Sequence, residues 1–229
     1  MRLRQSTPSM ENMIQTVLIF ALPVLFSITV HEAAHGYVAR WFGDNTAYAM
    51  GRVTLNPIPH IDPIGTIAMP VLLYFATSGA FLFGYAKPVP VDFTRLRHPK
   101  RDMVWVALAG PASNFVQAIL WALLFTVLAG AGLNERFFLE MAKAGVLVNL
   151  VMWAFNLFPL PPLDGGRIVA GLLPPRAAWN YSRLEPWGFF IVMGLVIAGI
   201  VGSLWLRPLI SIGYGVLGVL LAPLNALLF

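Results

Sequence analysis

Long apolar runs dominate this chain. Four of them approach or exceed the roughly 20 residues that a helix needs to cross the hydrocarbon core of a bilayer, and they cover residues 13–42, 103–131, 142–158 and 187–229. The last run is interrupted at Arg207-Pro208, and we expect it to form two helices. The pattern predicts an all-α polytopic membrane protein with five to six transmembrane helices, surrounded by a lipid bilayer.

Residues 61–86 form a further apolar stretch whose path is ambiguous. Pro70, Gly79 and Gly84 interrupt it. Residues 46–55 before it alternate loosely and predict short strands, and the prolines of residues 87–91 favour an extended chain. The stretch either crosses the membrane or enters it and returns on the same side. We expect a short re-entrant β-hairpin or loop, with a full crossing as the alternative.

Composition and charge narrow the class of protein. Hydrophobic residues make up 58% of the chain and charged residues 11%, whereas a soluble domain has about 25% charged residues. The net charge of +5 is typical of basic loops on the cytoplasmic side, and no basic tract interleaved with aromatic residues points to nucleic acid. The chain has no cysteine, which excludes disulfides and thiolate metal sites.

The first apolar run ends in a motif with metal chemistry. Residues 31–35 read His-Glu-Ala-Ala-His, and on a helix His31 and His35 share one face. This spacing suits two imidazoles on one Zn²⁺, with Glu32 beside them as general base. Ionisable side chains inside a membrane segment are costly and mark function. We expect the run to be a retained anchor, because cleavage of a signal peptide near Ala33-Ala34 would destroy the motif.

A second polar cluster follows the third apolar run. Three prolines end regular helix between Asn156 and Asp164, and Asp164 is placed to cap the next helix or to bind a cation. It is the best candidate for a third zinc ligand, while His60 and His98 in loops near prolines are weaker ones. Ligands of one metal must share one depth in the membrane, so the first and third spans must run in the same direction. The number of basic residues on each side of the membrane is the same for both paths, so the positive-inside rule does not decide between them. The shared depth of the zinc ligands favours an outside N-terminus and the re-entrant path.

The two motifs together resemble those of the site-2 protease family of intramembrane zinc metalloproteases. That family's pattern is His-Glu-x-x-His in one membrane helix and Asn-x-x-Pro-x-Pro-x-Leu-Asp-Gly in another, and residues 31–35 and 156–165 match both in full. Residues 84–90 and 109–114 also look like family segments. The resemblance extends over residues 13–175 and identifies a compact member without the PDZ or CBS domains that many relatives carry.

The resemblance implies a cofactor, residue roles and a division of the chain. One Zn²⁺ per chain would be bound by His31, His35 and Asp164, with Glu32 catalytic and Asn156 supporting the site. Residues 1–175 would form a membrane-embedded metalloprotease core, and residues 176–229 would form a C-terminal helical pair.

The function expected from these residues is hydrolysis of peptide bonds in or near the membrane spans of transmembrane protein substrates. The protein would be an integral multi-pass protein of the bacterial inner membrane. Residues 81–91 would pair with the unwound substrate by β-augmentation, or would form a lipid-protected hairpin without a role in substrate binding. Asn156 or Asn114 would donate to the developing oxyanion, although an interhelical hydrogen bond is the simpler role for Asn114. A metal-ion transporter and a non-catalytic metal-binding protein are the alternatives, and the oligomeric state stays open.

Overall fold

The structure is a computed structural model that describes residues 10–69, 72, 87–133 and 135–228. These residues form helices and contain no β-strand, as the predicted all-α class requires. The α-helices are α1 (Met10–Trp41), α2 (Thr46–Ala49), α3 (Pro99–Gly130), α4 (Arg136–Asn156), α5 (Asp164–Leu172), α6 (Pro175–Ser182), α7 (Glu185–Ile197) and α8 (Arg207–Leu228). Short 3₁₀ turns cover Ile58–His60 and Phe93–Arg95, and π turns cover Pro63–Ala68 and Val201–Leu206.

Four helices in the described residues are long and apolar enough to cross a membrane. They cover Ile14–Trp41, Pro99–Gly130, Arg136–Asn156 and Val201–Leu228. The apolar helix α7 has 13 residues and is shorter than a perpendicular crossing requires. The expected count of five to six spans therefore remains a prediction.

The break in the last apolar run differs from the prediction. Helix α7 ends at Ile197, and Gly199 turns the chain with a φ of 73°. Arg207 and Pro208 instead lie inside one helical stretch that runs from Val201 to Leu228. Its first six residues form a π turn directly before Arg207, and local π geometry is one way in which membrane helices accommodate proline.

The predicted strands at residues 46–55 are also wrong. Asp44 accepts hydrogen bonds from the backbone N–H and the hydroxyl of Thr46, which starts the short helix α2. Gly43 and Gly51 adopt φ values of 111° and 66° on either side of this helix. The local hydrogen bonds of Asp44 and these two turns therefore override the weak alternation of the sequence.

Helices α1, α3 and α4 all pack against one another. The backbone N–H of Arg97 donates to the carbonyl of Phe42 at 2.9 Å, which brings the end of α1 to the start of α3. A short connection then reverses the chain into α4. Helices α1 and α4 therefore run in the same direction, as the shared-depth argument requires. The stretch at residues 61–86 lies largely outside the described residues, so neither a crossing nor a β-hairpin is described there.

The C-terminal helices hold the proline-rich loop between α4 and α5. The Tyr181 hydroxyl donates to the Pro159 carbonyl at 2.9 Å, and partial burial raises the pKa of Tyr181 above its usual value. Gly188 of α7 approaches so closely that an added Cβ would overlap the Pro161 carbonyl oxygen. The Trp205 indole donates to the carbonyl of Ala154 at 2.7 Å. Residues beyond 175 thus contact the loop that leads into Asp164.

Candidate metal centre

Three side chains from two distant segments converge near the end of α1. Nε2 of His31 lies 3.1 Å from Nε2 of His35. Oδ2 of Asp164 lies 3.2 Å from the first nitrogen and 3.3 Å from the second. Both imidazoles are buried, and Asp164 occupies the first position of α5, after Leu163 as N-cap. The structure thus brings together the three expected ligands as one group that could hold a metal ion.

Nε2 of each imidazole belongs to this group, and the other ring nitrogen, Nδ1, is fixed by a hydrogen bond. Nδ1 of His31 lies 2.7 Å from Oδ1 of Asn114, and Nδ1 of His35 lies 2.7 Å from the carbonyl of Val106. Oxygen acceptors of this kind require the hydrogen to reside on Nδ1, which leaves the Nε2 lone pairs free. The amide of Asn114 is oriented in turn, because its Nδ2 donates to Ser27 Oγ at 2.9 Å and to Asn149 Oδ1 at 3.1 Å.

The donor set fits a zinc ion. With the hydrogens of both neutral imidazoles on Nδ1, two Nε2 lone pairs and a carboxylate face one another, and Oδ2 of Asp164 is buried with no hydrogen-bond partner. Such an arrangement is repulsive unless a cation lies among the three atoms. Tetrahedral ligands about 2.0–2.1 Å from zinc lie about 3.3 Å from one another, close to the separations found here. Gly110 makes room, since a Cβ there would overlap His35 and come within 2.5 Å of His31.

Glu32 and Asn156 share one cavity with the metal ligands. The cavity measures about 560 Å³ and is lined also by Arg167 and Phe189. Oε2 of Glu32 accepts the backbone N–H of Val89 at 2.7 Å. One N–H of the Asn156 amide donates to the carbonyl of Met152 within its own helix at 3.0 Å, which leaves its second N–H for another acceptor.

The weaker histidine candidates lie apart from this group. His60 is buried and its Nε2 contacts the Thr54 carbonyl at 3.1 Å, while His98 is exposed and lies 3.6 Å from Asp102. Asn114 forms interhelical hydrogen bonds, as its simpler interpretation held, and it also supports His31. Sequence reasoning missed that support, although a buried asparagine in an apolar run was a usable signal. The contribution of Val106 is a backbone carbonyl and leaves no signal in the sequence.

Curated relatives define the family. The chain is 37% identical over 201 residues to "Putative zinc metalloprotease YwhC" of Bacillus subtilis (strain 168), which covers 84% of this chain and 85% of that protein. This chain belongs to the same zinc metalloprotease family. This membership is consistent with the resemblance to site-2 proteases, and it confirms the zinc cofactor, because the name of this relative agrees with the donor set.

Two further relatives of this metalloprotease are longer. It is 32% identical over 173 residues to "Putative zinc metalloprotease Rip2" of Mycolicibacterium smegmatis, covering 76% of this chain and 64% of that one. This chain is also 27% identical over 173 residues to "Zinc metalloprotease MJ0392" of Methanocaldococcus jannaschii, covering 76% of this chain and 39% of that protein. The chain spans less than two thirds of either. No family model matches it, and no solved structure matches it significantly.

Proposed function

We propose that this metalloprotease hydrolyses peptide bonds in or near the membrane spans of other membrane proteins. One observation carries the proposal: the two histidines and Glu32 lie on a helix long and apolar enough to cross a membrane. Asn156 is the last residue of another such helix, and Asp164 follows it in the chain. Both line the same cavity as the histidines and Glu32. A site built into spanning helices favours substrates that reach it within the bilayer.

The proposed chemistry divides among five side chains. Zinc, held by His31, His35 and Asp164, would supply a Lewis acid that activates water and polarises the scissile carbonyl. Glu32 accepts the proton that the attacking water loses and returns it to the departing amine. The free N–H of Asn156 stabilises the developing oxyanion. Hydrogen bonds from both imidazoles to fixed oxygen acceptors keep the ligands oriented.

The substrate must expose its backbone before it can react, because a spanning helix hides its peptide groups in its own hydrogen bonds. Pairing with residues 81–86 stays a prediction, since these residues lie outside the described part of the chain. In residues 87–90 the backbone donors are engaged or missing. Lys87 donates to His60, Val89 donates to Glu32, and the two prolines have no N–H. Residues 87–90 therefore offer no free backbone N–H to a substrate strand, and pairing through residues 81–91 stays a prediction.

We extend the proposal to location. The four long apolar helices of the described residues support a multi-pass protein, and the similarity to a Bacillus protein supports a bacterial cell membrane.

The test is co-expression with a panel of single-span membrane proteins. The natural chain should yield substrate fragments and Glu32→Gln should not, because glutamine cannot accept the proton. Zinc content should be equal in both, since Glu32 is not a ligand. Glu135→Gln, at an exposed acid outside the site, serves as the matched control and should cleave normally. Equal cleavage by Glu32→Gln contradicts the proposal. Zinc uptake into vesicles without any fragments would favour a transporter instead.

A further inference from the structure

The segment before α3 presents a single amide hydrogen to the site. Val89 stands between Pro88 and Pro90, and proline has neither an N–H nor a free φ. The one available N–H in these three residues is that of Val89, and it donates to Oε2 of Glu32 at 2.7 Å. A bond of this length to a carboxylate is charge-assisted and stronger than one between neutral groups.

The other end of the same peptide group is held by Arg52. Its Nη2 donates to the carbonyl of Pro88 at 3.3 Å and to that of Lys87 at 2.9 Å. The Pro88 carbonyl and the Val89 N–H belong to one planar peptide, in which they point in opposite directions. A cation therefore polarises the carbonyl while an anion accepts from the amide, and hydrogen bonds in such a chain strengthen one another.

Arg52 is itself an unusual buried group. Its relative exposure is 8%, and no acidic side chain in the described residues forms an ion pair with it. A buried guanidinium stays charged and is costly unless its donors are satisfied. Its Nη2 donates to the two carbonyls directly before Val89, whereas its buried Nε has no hydrogen-bond partner in the described residues. The hydrogen bonds described for the guanidinium therefore all go to that segment.

Packing against α1 completes the arrangement. Gly36 lies one turn after Glu32 on the same helix face. A Cβ on Gly36 would come within 3.2 Å of Val89 and 2.9 Å of Val53, so the glycine lets both segments approach the helix. Lys87 is tied separately to the His60 carbonyl at 3.0 Å. The Val89 amide is thus located by contacts on several sides of its segment.

We propose that Arg52 is a positioning residue for the protease, acting through the Pro88–Val89 peptide to fix the carboxylate of Glu32. The proposal rests on the proposed role of Glu32 as general base. One carboxylate oxygen is engaged by the amide, which limits rotation of the group and leaves the other oxygen for the water. Misplacement of a reacting group by about 1 Å costs about 100-fold in rate.

The first test needs no substrate. Hydrogen exchange is measured on the zinc-loaded full chain in lipid nanodiscs, where the peptide 87–91 carries only three amides. The Val89 amide should be protected in the natural chain and should exchange at least about tenfold faster in Arg52→Gln. Zinc content should not change. An unprotected Val89 amide in the natural chain, or equal protection in Arg52→Gln, overturns the proposal.

The second test separates positioning from a merely structural role. With the best-cleaved single-span protein as substrate, Arg52→Gln should lower kcat about 10- to 100-fold with KM and zinc content unchanged, and Arg52→Lys should recover part of it. The exposed Arg97→Gln is the matched control and should match the natural chain. Val89→Pro deletes the amide, so Arg52→Gln should add little to its loss.

The outcomes of the second test are distinct. Independent, multiplying losses from Arg52→Gln and Val89→Pro, or zinc lost together with activity, contradict the positioning role. Full cleavage by Glu32→Gln instead contradicts the proposed function. In that case the hydrogen-exchange measurement still tests whether Arg52 fixes the Val89 amide.

Discussion

Truncation of Asn114 tests how the buried network supports the metal centre. In Asn114→Ala, His31 loses the acceptor 2.7 Å from its Nδ1, and Ser27 and Asn149 lose the amide that joins them. All of these groups are buried in the bundle, where water is not available to replace the lost partner. The Nδ1–H of His31 is left unpaired, and its imidazole is free to rotate or to change tautomer.

The loss of the Asn114 amide should cost a few kcal/mol, by the energy of an unpaired donor and by the effect of such partners on metal affinity. Leaving a buried donor unsatisfied costs about 1–3 kcal/mol. Removing the hydrogen-bond partner of a metal-binding histidine typically lowers metal affinity by about 10- to 100-fold, which corresponds to about 1.4–2.7 kcal/mol. We therefore expect zinc to bind Asn114→Ala about 10- to 100-fold more weakly. The thermal midpoint should fall as well, because the links to Ser27 and Asn149 are lost.

Competition with a chromophoric zinc chelator measures the affinity of the purified chain. Ser113→Ala is the matched control, since its hydroxyl donates to the carbonyl of Gly110 in its own helix and it should bind zinc normally. Asn114→Asp keeps an acceptor for His31 and should retain more zinc affinity than Asn114→Ala. Equal zinc affinity in Asn114→Ala and Ser113→Ala would refute the role assigned to the network.

Three other predictions concern the loop, the metal and the topology. Gly188→Ala should lower zinc affinity in a chelator titration and the midpoint of thermal unfolding, because its Cβ would displace Pro161. Gly194→Ala, with nothing within 4 Å of the added Cβ, should change neither quantity. Removal of zinc by chelation should lower the thermal midpoint, and free zinc at 100 times its dissociation constant should restore about 2.7 kcal/mol; an unchanged midpoint would show that zinc does not stabilise the fold. Single cysteines at Ala49 and Arg97, introduced into a chain without cysteine, should react with an impermeant thiol reagent from the same side of the membrane, and labelling from opposite sides would exclude the re-entrant path.

The sequence was informative where chemistry needs a fixed local spacing. His31 and His35 are four residues apart on one helix, so their convergence follows from helix geometry alone. Asp164 could be selected because the chain lacks cysteine and because few other ionisable side chains lie in or at the end of the apolar runs. The structure brings these three side chains together, which agrees with the selection.

The contacts that orient the site could not be predicted from the sequence. The partner of Glu32 is a backbone amide 57 positions away, and the partner of His35 is a backbone carbonyl 71 positions away. Backbone groups are identical in every residue, so only tertiary packing reveals which one is used. The break predicted at Pro208 is wrong for a related reason: the local rule for proline holds in isolation, whereas the preceding π turn accommodates it.

The central claim is that His31, His35 and Asp164 bind one zinc ion. Elemental analysis combined with zinc K-edge X-ray absorption on the purified full chain measures this directly. The account predicts one zinc per chain with two imidazole nitrogens and a carboxylate oxygen as protein ligands, and loss of most of that zinc in Asp164→Ala. A chain without stoichiometric zinc, or an unchanged zinc spectrum in Asp164→Ala, would contradict it.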